Sequence, residues 1–138
     1  AFEDMVAATE YLRAQPGVLK RLGVVGFCYG GSIANRLAVA VPELRAAVPF
    51  YGSAPPLDNV GAIKAELLLH FAQVDERVNA SWPVFEAALK AAGVTHTAHV
   101  YPGTQHGFHN DTTPRYDPQA AQLAWRRTVE FFNRTLRG

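Results

Sequence analysis

Cysteine is almost missing from this chain, with one copy, Cys28, in 138 residues. A lone thiol excludes an intrachain disulfide framework and a multi-cysteine zinc site. Charge of one sign is missing too. Thirteen Lys and Arg stand against twelve Asp and Glu, a formal net charge of +1. No basic stripe runs along the chain, so the footprint of a nucleic-acid binder is absent. No apolar run approaches the ~20 residues of a membrane-spanning helix. Internal repeats, low-complexity tracts and charge blocks are lacking as well. Charged residues are only 18%, below the ~25% usual in globular domains, so buried elements should outnumber solvated faces.

What is present is the material for a core. Hydrophobic residues are 49% of the chain, which excludes a disordered polymer. The length fits one domain spanning 1–138, large enough to bury roughly two thirds of its unfolded surface. The first residue is Ala1, not methionine, and no secretory leader is visible. The domain is therefore read as N-terminally incomplete. Cytoplasmic placement is favoured, with an export signal upstream of Ala1 left open.

Gly and Pro punctuate the chain between periodic segments. Phe2, Met5, Val6, Thr9 and Leu12 predict a helix that Pro16-Gly17 ends. Leu22–Phe27 is a short apolar run, expected as a buried strand. A helix is expected from about Ser32 to Val41, stopped by Pro42. Ala46–Tyr51 reads as a second strand, although Pro49 argues against it. Gly52–Ala65 reads as loop with one helical turn, and Glu66–Ala72 as the third strand. Ser81–Ala92 has a helical stripe with Gly93 at its C-terminal cap. His96–Tyr101 is a fourth strand, followed by a polar loop to Tyr116. Asp117-Pro118 opens the last helix, with Ala121, Trp125, Val129, Phe132 and Leu136 as its expected buried face.

Strands alternating with helices imply an α/β fold, with a mostly parallel sheet and helices on both faces. Crossovers are right-handed, so four strands in chain order leave only the last helix for one face. Leu22–Phe27 would then be an edge strand despite its apolar character. An upstream segment or another chain is expected to cover that side.

Gly26-Phe27-Cys28-Tyr29-Gly30-Gly31 stands between strand and helix. It is the thiol form of a nucleophile elbow, a strained turn that lifts one side chain above a sheet. Crowding on either side of the nucleophile predicts a need for glycine at 26 and 30. The following helix aims free N–H groups at Cys28, which predicts a lowered thiol pKa. The Tyr29 N–H is the expected oxyanion donor. A phosphate-cradling glycine loop is the competing reading. It lacks a middle glycine, because Cys28 stands there, and no acid ends the second strand.

A thiol nucleophile needs a base and a group to orient it. Asp75 follows the third strand and His106 the fourth, in the order nucleophile, acid, histidine. Both should emerge beside Cys28 at the C-terminal ends of parallel strands, where open α/β sheets bind ligands. Glu76 is the rival acid. His70, His96, His99 and His109 are the rival histidines. His70 reads as a hydrogen-bonded core residue, and His96 and His99 fall on opposite faces of a regular strand. His106 and His109 have no carboxylate or cysteine cluster to complete a metal site, so no metal or cofactor is expected.

GFCYGG at 26–31, the strand-to-acid step at Asp75 and YPGTQHGF at 101–108 together resemble the dienelactone hydrolase family of α/β-hydrolases. The resemblance runs over essentially the whole chain, and HGFHNDTTPRYD at 106–117 is similar to a carboxymethylenebutenolidase-like branch. It implies Cys28 as nucleophile, Asp75 as acid and His106 as base of a triad. The implied substrate is a small ester or lactone, cleaved through a thioester, with no nucleic acid or membrane involved. Phe108, Asn110 and Arg115 are the expected substrate contacts. Family members have further strands upstream, which supply a second oxyanion donor, a glutamate near the thiol and an arginine for the substrate carboxylate. The best-known members carry another such arginine after the histidine, where this chain has His109, Asn110 and Asp111. The alternatives are a non-enzymatic α/β module with a structural thiol, or a redox-thiol protein with a regulatory Cys28 and an external resolving partner.

Overall fold

The computed structural model describes residues 1–17 and 21–137. The elements are α1 (Phe2–Arg13), β1 (Gly23–Phe27), α2 (Tyr29–Ala40), β2 (Ala46–Phe50), a 3-10 segment (Leu57–Ala62), β3 (Glu66–Val74), α3 (Glu76–Ala80), α4 (Trp82–Ala91), β4 (His96–Gln105) and α5 (Pro118–Phe132), then a π turn at Asn133–Arg137. The four strands are parallel and lie in chain order, β1-β2-β3-β4.

The sheet separates two apolar layers. Leu67, Leu69 and Phe71 of β3 pack with Leu37 of α2 and Phe85 and Leu89 of α4 on one side. Leu68 and Ala72 pack with Phe50, Tyr101, Phe108, Ala124 and Phe131 on the other, under α5. This alternation along β3 is the period-two signature of a strand buried on both faces. Every residue of β2 is buried. Pro49 is nonetheless tolerated in this interior strand. Bridges to β3 run Ala47↔Leu67 and then Phe50↔His70, skipping Val48 and Pro49. The donor that proline lacks therefore faces the interrupted stretch of the ladder.

As the handedness argument predicts, β1 is an edge strand and α5 is the main cover of the second face. Val24 and Val25 are only half-buried, and Phe27 is 36% exposed.

Two helix stripes differ from expectation. In α1 only Phe2 and Val6 pack against the core, while Met5 and Leu12 stay exposed. The helix rests on α2, where the Arg36 guanidinium sits 3.9 Å above the Phe2 ring. In α5 the sheet-facing residues are Ala121, Ala124, Thr128 and Phe131, leaving Trp125 and Val129 outside. Thr128 faces the sheet within this buried stripe, its hydroxyl 3.0 Å from Nε2 of buried His70. Asp117 caps α5 as expected, its carboxylate accepting from the Ala120 N–H at 3.1 Å.

Candidate active site

The chain turns from β1 into α2 at residue 28. Cys28 has φ 57° and ψ −120°, a backbone conformation that costs a non-glycine residue on the order of 1–3 kcal/mol. Its N–H donates to Phe50 O at 3.2 Å, and its carbonyl accepts from the N–H groups of Gly31 and Ser32 at 2.9 and 3.2 Å. Helix α2 therefore starts at Tyr29, three residues before the expected Ser32, because Cys28 itself is the N-cap. The Tyr29 N–H lies in the first helical turn and has no intrahelical acceptor.

Close approach explains the glycines, with one correction. A Cβ on Gly26 would strike the Gly30 carbonyl, so glycine is needed there. A Cβ on Gly30 meets nothing within 4 Å, so the expected need at 30 is not found. The need falls on Gly31 instead, whose Cβ would lie 2.5 Å from Phe50 O, and on Gly52, whose Cβ would lie 2.6 Å from Ser32 N. Here the start of α2 rests directly on the end of β2. Ser53 N donates to Ser32 Oγ at 2.9 Å, and Asn35 Nδ2 to Ser53 O at 3.0 Å.

Asp75 and His106 meet through an irregularity in the β3–β4 ladder. Pairing runs regularly from Leu67↔His96 to Ala72↔Tyr101, an offset of 29, then resumes at Val74↔Gln105, an offset of 31. The two extra residues bulge out around Gly103, which has φ 74°. β4 is thus longer than the expected His96–Tyr101. Beyond Val74 and Gln105 come Asp75 and His106, joined Oδ2 to Nδ1 at 2.6 Å. The Asp75 side chain is 7% exposed and His106 36%. Glu76 lies in α3, a helix that sequence reading missed, with its side chain exposed.

Cys28 and His106 line one cleft of about 300 Å³, with Tyr29, Tyr51, Asp75 and Arg77 also on its wall. The thiol and imidazole lie across the cleft, and the hydrogen bonds of these side chains do not include one between them. Cys28 also borders a second recess of about 470 Å³, formed by Phe27, Tyr51, His109, Asn110 and Asp111. A comparable cavity of about 480 Å³, at the opposite end of the sheet among Arg45, Lys64, Glu66 and Arg134, is remote from these groups.

The electrostatics correct another expectation. Burial pushes the Cys28 thiol above its ordinary value; nearby Arg115 pulls it down and Asp75 pushes it further up. The helix terminus does not make this a resting thiolate, because desolvation disfavours the charged form.

Of the expected substrate contacts, Phe108 is corrected. It is fully buried, packed between Phe50, Tyr51 and Tyr101, and supports the site from beneath. Asn110 borders the second recess. Arg115 lies over Gly107, its Nε 3.8 Å from where a Cβ there would stand.

His70 is a core residue as read, its ring nitrogens 2.8 Å from the Tyr101 hydroxyl and 3.0 Å from Thr128 Oγ1. His96 and His99 turn to opposite faces, towards Trp82 and towards His70. Among the described residues, no three His, Cys, Asp or Glu gather as a metal would require, and no helix is long and apolar enough to cross a membrane. Sequence reading missed Tyr51. It has φ 38°, lines both recesses and holds its ring 4.9 Å from that of His106, tilted by 59°. In the sequence it is one more aromatic at the end of an apolar strand.

A parallel sheet with an elbow after one strand and acid and histidine after two others defines an α/β-hydrolase fold. The chain belongs to the dienelactone hydrolase family, whose sequence profile matches residues 1–136. It is 36% identical over 133 residues to a Saccharolobus solfataricus protein named "Putative carboxymethylenebutenolidase", covering 96% of this chain and 51% of that one. The crystal structure of a "Putative Dienelactone Hydrolase" from Klebsiella pneumoniae superposes with a TM-score of 0.84 at 28% identity, over 95% of this chain and 59% of the other. A dienelactone hydrolase-like promiscuous phosphotriesterase from metagenomic libraries shares the fold, with a TM-score of 0.86 at 23% identity over 97% and 61% of the two chains. The chain spans about half the length of the curated relatives it matches.

Proposed function

We propose that the protein is a cysteine-dependent hydrolase of a small ester or lactone, acting through a thioester acyl-enzyme with Cys28, His106 and Asp75 as its triad. The observation that carries the reading is the 2.6 Å Asp75–His106 bond at the cleft that the strained Cys28 borders.

Asp75 accepts from Nδ1–H, which leaves the neutral ring with its Nε2 lone pair free as the base. Because burial keeps the resting thiol protonated, the nucleophile is generated in the substrate complex. His106 takes the Sγ proton as sulfur attacks the acyl carbon. The Tyr29 N–H stabilises the oxyanion. The imidazolium then gives that proton to the leaving oxygen, and the C–O bond breaks. Water attacks the thioester with His106 as base, releasing the acid and restoring the thiol. In this reading Asn110, on the wall of the second recess, contacts substrate, and Arg115, whose charge acts on Cys28, is the second contact.

In a nitrophenyl ester assay, Cys28→Ala should lower kcat/KM by about 10³-fold or more with the melting profile unchanged. Undiminished turnover would refute the mechanism. The raised thiol pKa also favours a second reading, in which Cys28 is a buried, inert side chain of a non-catalytic domain. Iodoacetamide separates the two by its pH dependence and by protection. In the catalytic reading alkylation is slow at neutral pH, rises through the alkaline range, and is blocked by an ester-mimicking inhibitor. An inert thiol shows no protection.

A further inference from the structure

The step that brings His106 to Asp75 is held by a residue outside the cleft. The Oε1 of Gln73 accepts from the Gly103 N–H at 2.6 Å. The Gln73 N–H donates to Thr104 Oγ1 at 3.2 Å, and the Thr104 hydroxyl donates to Tyr101 O at 2.6 Å. Gln73 thus holds two of the three residues between the bridged pairs, Gly103 from its side chain and Thr104 from its backbone. Thr104 is 2% exposed, whereas the Gln73 side chain is exposed and adds nothing to the core.

The register gives these bonds their meaning. Continued at the offset of Ala72↔Tyr101, the ladder would place Thr104, not His106, opposite Asp75. The difference is two residues, about 6.6 Å along a strand, far more than a hydrogen bond can stretch. The bulge takes up this excess. A bulge with a left-handed glycine is a local departure from the ladder that needs its own partners, because the displaced N–H groups lose their strand acceptors. The Gln73 carboxamide supplies the acceptor for one of them.

We propose that Gln73 is a positioning residue that fixes the β4 bulge in the register presenting His106 to Asp75. The inference rests on the triad reading for its effect on rate, but not for its effect on geometry. On the other side of Gln73, Asn79 Nδ2 donates to Ala72 O at 2.8 Å, and Asn79 N to Asp75 O at 2.9 Å. The turn carrying the acid is therefore tied to β3 independently. The His106 side is the one that depends on Gln73.

The test uses Gln73→Met, which keeps length but removes the acceptor, and Gln73→Glu, which keeps it. Two readouts are taken on the whole chain: nitrophenyl ester kinetics, and the far-downfield proton NMR signal of an imidazole N–H held by a carboxylate. Gln73→Met should lower kcat by about 10–100-fold, the scale of a misplacement near 1 Å. KM should stay within about twofold, and the downfield proton should weaken or vanish. Gln73→Glu should restore both. Thr104→Val, which keeps shape and loses the hydroxyl, should move the same proton, and it serves if Gln73→Met is poorly folded. An unchanged downfield proton in folded Gln73→Met overturns the proposal. So does a KM effect with kcat intact, which would make Gln73 a substrate contact. If the unaltered protein shows no esterase activity, the catalytic reading fails, yet the proton signal still decides the positioning one.

Discussion

The two faces of the sheet bury their side chains by different physics. Under α2 and α4 the layer is aliphatic and phenyl, built on Leu37, Leu67, Leu69, Phe85 and Leu89, and its cohesion is non-directional. Under α5 the layer is aromatic and polar. Phe50 packs 4.4 Å from the His70 ring, His70 bonds Tyr101 and Thr128, and Arg127 donates to the Tyr101 hydroxyl at 3.2 Å. The first layer touches the candidate site at Val78, whereas the second reaches His106 itself through Phe108 and Tyr51. The first layer holds the sheet together; the second also orients groups. The difference appears in what each face tolerates. An apolar interior responds to volume, whereas a hydrogen-bonded one responds to protonation and geometry.

The largest expected effect breaks the first face. Leu89 is fully buried, and Leu89→Ala should cost about 2–5 kcal/mol in chemical denaturation. The loss should be the same at pH 5 and pH 8, since the buried residues of this cluster are all apolar. A strongly pH-dependent loss would erase the contrast between the layers.

Next comes acid sensitivity of the second face. Burial holds the His70 pKa down at about 3, against an ordinary value of 6.5, with the positive charge of Arg127 adding to the effect. The unfolded chain therefore binds a proton that the folded one refuses. Stability is fully present above about pH 6.5 and declines as pH falls towards 3, by up to about 5 kcal/mol from this group. Burial lowers His99 and His109 as well, in the same sense. His70→Leu should flatten this slope while costing about 1–3 kcal/mol at neutral pH, because the hydroxyls of Tyr101 and Thr128 lose a partner. An unaltered slope in the variant would remove His70 as its source.

The smallest effect is a control that touches neither layer. Gly30→Ala adds a Cβ into open space at the start of α2. It should change stability by no more than about 1 kcal/mol, in the stabilising direction. A large loss in thermal unfolding would restore the steric role that the sequence suggested for this glycine.

That last contrast shows where the sequence was legible. Strands and helices came through because their periodicity is local, and the chain-order sheet followed from crossover handedness. The placement of Cys28, Asp75 and His106 at strand ends was readable because each follows a segment that reads as a strand, Cys28 directly and the other two after a short polar step. What was hidden depends on partners distant in sequence. The need for glycine at 31 and 52 arises where α2 meets the end of β2. Pro102-Gly103 reads as a loop because a bulge is defined only by the strand beside it. The buried face of α5 includes Thr128, bonded to His70, and a polar residue on the buried side is not encoded by a hydrophobic stripe. The direction of the Cys28 pKa was misread because a helix terminus is visible in sequence and desolvation is not.

The contact between Gly31 and Gly52 has a consequence for redesign. The sulfur's location is set by main chain resting on main chain, without a side chain as spacer. Side chains on the walls, such as Arg77 in one recess and Asn110 in the other, can therefore be exchanged to reshape those walls without displacing the sulfur. Any replacement of either glycine moves that atom first, however well the new wall is shaped.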